Sequence, residues 1–220
     1  MINKIKDLIN KIMEGQKKPE KKIVVLDQSA MDELMSGGLP VGVEPELRTI
    51  GLFTEIIEEK VAEVVHALLF LNESNRSLDQ DQKKPIEFYI STYGGNADDM
   101  FALYDIIRHI RKETEIHTIG MGKVMSAGVP LLAAGTKGKR KIGKNCRVML
   151  HSVVAGNHGP IHNLINEMEA VEQIQKMYIN CLVSETKMTK KDIKKMLERN
   201  VNVYLSAEEA VELGIADIIV

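Results

Sequence analysis

Apolar positions along the chain alternate between two periods. "RTIGLF" (48–53) reads as a strand, and "EEKVAEVVHALLFL" (58–71) as a helix with Val61, Val64, Val65, Leu68 and Leu69 on one face. The polar stretch "NESNRSLDQDQKKP" (72–85) is a loop, followed by the strand "IEFYIS" (86–91) and by Gly94-Gly95. A helix from Ala97 to Ile110 then carries Met100, Leu103, Ile106, Ile107 and Ile110 inward. "EIHTIG" (115–120) is the next strand. It leads to Ser126 and an apolar helix "AGVPLLAAG", and "RVMLH" (147–151) is a further strand ending at His151. These strands start about 30 residues apart, the length of a β–α unit, so parallel strands with crossover helices are expected.

A long helix follows over 161–182, with Ile161, Leu164, Ile165, Met168, Val171, Ile174, Tyr178 and Leu182 as its seam. "TKKDIKKML" opens with a capping box from Thr189 to Asp192. In "YLSAEEAVELGIAD", Ser206 and Glu209 repeat the device and Gly214 stops the helix. At the other end, "MINKIKDLINKIM" has helical apolar spacing with lysines opposite. It reads as a mobile or partner-docking helix, with a membrane-surface helix as the other reading. It lacks the uninterrupted apolar core of a signal peptide. "GQKKPEKK" (15–22) is a charged linker, "KIVVL" (22–26) a short strand, and "SGGLPVGVEPE" (36–46) a loop. The expected division is an N-terminal segment over 1–47 and one regular domain over 48–220.

Composition narrows the class. The chain has 220 residues, 44% hydrophobic and 27% charged, which suits one domain with a real core. A formal net charge of −2 gives no reason to expect a nucleic-acid partner. No apolar run reaches the length of a membrane span, about 18 residues. Cys146 and Cys181 have no metal-ligand spacing and read as buried free thiols in a reducing compartment.

The chemistry gathers at strand ends, where open α/β sheets place their functional groups. Three successive ends carry Gly94-Gly95, Ser126 and His151. A serine hydroxyl becomes a nucleophile when a general base lies within reach, and His151 can take and return a proton near neutral pH. The Ala127 N–H, next to Ser126, and an N–H of the diglycine turn would together face a developing oxyanion. The plain alternatives are an N-cap for Ser126, a satisfied core histidine for His151 and a tight turn for Gly94-Gly95. "VMSAG" is only part of a G-x-S-x-G elbow, because Val124 takes the place of the first glycine. His66, His109, His117, His158 and His162 offer no metal site with a third ligand, and "AGTKGKR" lacks the P-loop arrangement.

Placed in order, "FYISTYGGNADDMFALYD", "GMGKVMSAGVPLLAAGTKGKR", "RVMLHS" and "YLSAEEAVELGIAD" resemble the ClpP family, the proteolytic subunits of the Clp protease, from about Arg48 to the C-terminus. The resemblance implies an α/β, crotonase-like fold of β–α superhelical repeats with a protruding long-helix handle. It implies a cytoplasmic serine endopeptidase that cuts unfolded polypeptides inside stacked seven-membered rings, fed by a Clp ATPase unfoldase and using no cofactor or metal. Carried over by position, the nucleophile is Ser126, the base His151, and the oxyanion donors the N–H groups of Gly95 and Ala127. The family's third member is an aspartate, and "KKMLERNVNVYLS" contains none. The position is Asn202 by one register and Glu198 by another, with Asn200 between. Tyr93 stands where the family usually has proline. A ring subunit with weak or no activity, co-assembling with an active copy or competing for its ATPase, is the alternative that the missing aspartate raises. A crotonase-type acyl-CoA enzyme is a third reading, since the fold and the diglycine turn permit it.

Overall fold

The computed structural model describes residues 47–198 and 201–220. The expected opening helix, linker and short strand, and almost all of the N-terminal segment over 1–47, lie outside the described residues, as does Asn200. Seven strands and six helices follow in chain order among the described residues: β1 (Thr49–Leu52), α1 (Glu58–Arg76), β2 (Ile86–Thr92), α2 (Ala97–Ile110), β3 (Ile116–Met125) and α3 (Gly128–Ala133), then β4 (Lys141–Ile142), β5 (Arg147–Leu150), α4 (Ile161–Glu185), α5 (Lys190–Leu197), β6 (Val203–Leu205), α6 (Ala207–Glu212) and β7 (Ile218–Ile219). This is the mixed α/β architecture with a largely parallel sheet that the β–α spacing predicts.

The sheet runs β1-β2-β3-β4-β7, all parallel, and a branch of β5 and β6 leaves from β3. Strand β3 makes the branch possible by changing neighbours along its length. Ile119 and Gly120 pair with β4, whereas Lys123, Val124 and Met125 pair with β5. The expected strand stopped at Gly120, because Gly120, Gly122 and Lys123 interrupt the apolar pattern. Pairing on both edges carries it on to Met125. Strand β6 joins β5 antiparallel, the one exception to the parallel rule among these pairings.

Helix α2 starts where predicted because the Asn96 side chain accepts from the N–H groups of Asp98 at 2.8 Å and Asp99 at 3.1 Å. Its inner face buries Met100, Leu103, Ile107 and Ile110, with Ile106 half-buried at the margin. Helix α1 runs five residues past its predicted end. Buried Asn75 donates to the Lys84 carbonyl at 2.8 Å and to Thr114 Oγ1 at 3.1 Å, so a polar residue extends the helix through tertiary bonds. Both predicted capping boxes form, at Thr189 with Asp192 and at Ser206 with Glu209. Helix α3 is buried at all six positions and packs between α2 and α4 beneath the sheet.

Helix α4 divides in two. Its C-terminal part buries Tyr178, Ile179, Cys181, Leu182 and Glu185, while Ile161, Ile165 and Met168 of the same predicted seam remain exposed. The buried end is locked by charge. Glu185, 2% exposed, receives two bonds of 2.9 Å from the Arg111 guanidinium, an ion pair of 2.8 Å from Lys137 and a bond of 3.2 Å from Tyr104. Arg140 donates to the Glu185 carbonyl at 2.7 Å and to Asp217 Oδ2 at 2.8 Å, tying α4 to the segment before β7. Burial works to raise the Glu185 carboxyl, but the bonds from Arg111 and Lys137 outweigh it and leave the group below its ordinary range. Both cysteines are free and buried, and burial pushes each thiol up to about 11. Among the described residues no helix is long and apolar enough to cross a membrane.

Candidate active site

The last residues of β3 deliver Ser126 into a conformation that side chains avoid. Its φ is +53°, the only positive value among the described non-glycine residues. Such left-handed backbone persists when neighbours over-determine it, and here they do. The Ser126 N–H donates to the Met149 carbonyl on β5 at 2.8 Å. The Ser126 carbonyl accepts from the Val129 N–H at 3.0 Å and from Tyr178 Oη at 3.2 Å. The plain N-cap reading does not hold, because the cap residue of α3 is Ala127 and no side chain caps that helix.

The diglycine turn lies directly against Ser126. A Cβ on Gly94 would come within 2.7 Å of the Ser126 Cβ, so only glycine admits the serine at this spacing. Gly95, at φ +153°, bridges Ile56. The Ile56 N–H donates to the Gly94 carbonyl at 2.8 Å, and the Ile56 carbonyl accepts from the Asn96 N–H at 2.9 Å. In a parallel bridge of that pattern the middle residue turns its own N–H to the opposite edge. That edge is a cavity of about 450 Å³ that Gly95, Ser126, Ala127 and His151 all line. Among the described residues neither the Gly95 nor the Ala127 N–H donates to another group.

His151 follows β5 immediately and is half-buried. The next two residues are anchored: Ser152 Oγ donates to the Leu197 carbonyl at 2.8 Å, and the Val153 N–H donates to Gln175 Oε1 of α4 at 2.7 Å. Among the described residues no hydrogen bond joins the imidazole to Ser126 Oγ or to Asn202. Bonds of this kind tighten once a substrate fills the site. The far wall of the cavity is apolar, from Met100, Val153, Val154, Val171 and Ile174. Tyr93 stands exposed at the rim with Lys123 Nζ 4.5 Å from its ring centroid.

Strand register bears on where the candidates for the third member lie. Strand β6 pairs with β5 as Val148 with Leu205, Met149 with Tyr204 and Leu150 with Val203. Continued one step beyond the paired residues, that register would set Asn202 opposite His151, and directly opposed residues project from the same face. Glu198 ends α5 as its C-cap, and Glu198 and Asn202 are both exposed. The periodicity reading placed Tyr178 in an apolar seam and missed its hydroxyl. It also missed Gln175, which has no motif. Nothing in the spacing marks either of them, since their partners are backbone atoms far away in sequence.

Residues 45–220 match the family model described as Clp protease. The chain belongs to the Clp protease family, and with that family comes peptidase activity. Among its relatives is a protein of Prochlorococcus marinus strain MIT 9312 named ATP-dependent Clp protease proteolytic subunit 1. It is 31% identical over 172 residues, 78% of this chain and 83% of that one. A Corynebacterium glutamicum protein of the same name is 30% identical, and Corynebacterium jeikeium ATP-dependent Clp protease proteolytic subunit 2 is 31% identical. Each match covers 78% of both chains.

Proposed function

We propose that this chain is the proteolytic subunit of an ATP-dependent Clp protease, a serine endopeptidase acting on unfolded polypeptides. The supporting observation is one cavity lined by the left-handed Ser126, by His151 and by Gly95 and Ala127, whose N–H groups have no other acceptor among the described residues. Ser126 Oγ attacks the scissile carbonyl while His151 takes its proton. The Gly95 and Ala127 N–H groups stabilise the tetrahedral oxyanion. The imidazolium then protonates the leaving amine, leaving an ester on Ser126. Water activated by His151 hydrolyses that ester and restores the serine.

Asn202 completes the set, on the strength of its register with His151. Its amide oxygen can hold the imidazole tautomer but supplies no charge to stabilise imidazolium. Where an aspartate elsewhere was replaced by asparagine, turnover fell by about 10⁴. The Asn202→Asp variant is accordingly expected to raise kcat by more than about tenfold, while Glu198→Gln leaves it unchanged. Loss of turnover in Glu198→Gln, with no gain in Asn202→Asp, reassigns the third position. Ser126→Ala abolishes labelling by a fluorophosphonate probe, and persistent labelling in that variant refutes the nucleophile.

The working form is an oligomer served by a Clp ATPase, a reading supported by the relatives' names, which make them subunits of an ATP-dependent protease, and by the exposed half of the α4 seam; its arrangement in rings is what the family resemblance implies. Two buried free thiols favour a reducing, cytoplasmic setting.

A further inference from the structure

We propose that Tyr178 is a positioning residue for the oxyanion: by holding the Ser126 carbonyl, its hydroxyl aims the Ala127 N–H of the same peptide into the cavity. The inference rests on Ser126 and Ala127 acting as proposed above. The C=O of Ser126 and the N–H of Ala127 belong to one planar trans unit and point in opposite directions. Whatever fixes the carbonyl therefore fixes the donor.

Three bonds hold this unit and its residue. The Met149 carbonyl takes the Ser126 N–H at 2.8 Å, the Val129 N–H reaches the Ser126 carbonyl at 3.0 Å, and Tyr178 Oη reaches the same oxygen at 3.2 Å. Two of these come from backbone and belong to the chain's path. The third comes from a side chain more than 50 positions away in sequence. A residue at φ +53° is under strain of about 1–3 kcal/mol, which tends to swing the following peptide toward a commoner conformation. The Tyr178 hydroxyl resists that swing.

It acts electronically as well. A hydrogen bond to an amide oxygen polarises the amide and strengthens donation from its N–H, by about 10–30% in condensed-phase estimates. Tyr178 is 5% exposed, and burial pushes its phenol above the ordinary range, so it stays a protonated donor throughout the working pH range. One turn earlier on α4, Gln175 holds the Val153 N–H at 2.7 Å, so the same helix face grips the chain beside His151.

Tyr178→Phe removes the hydroxyl and keeps the ring. The full chain is assayed on a peptide substrate and against a peptide aldehyde of matching sequence, whose hemiacetal oxygen occupies the oxyanion position. Loss of a whole oxyanion donor costs about 10²–10³ in kcat, so a misaimed donor is expected to cost about 5–20-fold. The aldehyde Ki should rise by a similar factor, with KM and the melting temperature unchanged. Unchanged kcat and Ki overturn the proposal. So does a KM or a melting temperature that moves in step with kcat, which marks a structural role. The Ser126→Ala chain is run alongside. Full turnover in that variant, or a wild-type chain that neither turns over nor labels, defeats the reading of the site itself, whatever Tyr178→Phe does.

Discussion

Position 95 shows how little latitude the turn has. Gly95 combines φ +153° with a backbone contact to Ile56 that a Cβ would enter. Gly95→Ala is therefore expected to cost about 1–3 kcal/mol from backbone strain, together with the displacement of Ile56. Thermal denaturation would register the first effect, and a fall in kcat the second. The strands before Gly95 and His151 were legible because apolar period locates β2 and β5, whereas Ser126 lies six residues beyond the predicted end of its strand, and β3 runs on to meet it. The third position was not legible. Choosing between Asn202 and Glu198 depends on how a three-residue strand registers against β5, and local pattern carries no such long-range information. Tyr178 was legible only as a ring in a seam, since an apolar period is blind to a hydroxyl.

Among the elements, α4 gains its anchorage at one end. Glu185 and Asp217 both sit below their ordinary carboxylate range. In each case burial opposes the shift and hydrogen bonds with Arg111 and Lys137, or with Arg140, prevail. A depressed folded-state pKa contributes stability above the unfolded value, about 4 for these groups, and loses it as pH falls through the folded value. Melting temperature should thus hold from neutral down to about pH 4 and drop below it. Glu185→Ala removes the carboxylate that Arg111 and Lys137 share, while Arg140 keeps the backbone carbonyl and Asp217, and should cost about 3–5 kcal/mol in denaturant unfolding. The element boundaries that the sequence misjudged have a common cause. Helix α1 extends through Asn75 and β3 through its second partner strand, so tertiary bonds overrode a local polar signal in both.

For the whole molecule, the exposed half of α4 is the informative feature. Ile161 and Met168 are 69% and 68% exposed on a helix whose continuation is buried. Apolar rows of that kind mark association sites more often than bare surface. A chain carrying Ile165→Asp with Met168→Asp should elute later in size-exclusion chromatography than the wild type, with an unchanged circular dichroism spectrum. An unaltered elution volume would show that this row is not what holds the copies together. The fold class was legible at this scale because three β–α units of equal length leave few ways to build a sheet. The branch at β3 was not, for the interrupted pattern at Gly120 to Lys123 reads as a turn.

The left-handed backbone at Ser126 has an evolutionary corollary. Glycine adopts that conformation without penalty, whereas alanine bears the same strain as serine. Ser126→Gly should consequently unfold at a temperature equal to or above that of the parent chain, and Ser126→Ala should show no such gain. A lineage released from the need for a nucleophile would thus drift toward glycine at this site with no loss of robustness, so the role proposed for Ser126 would account for a residue that folding alone does not favour.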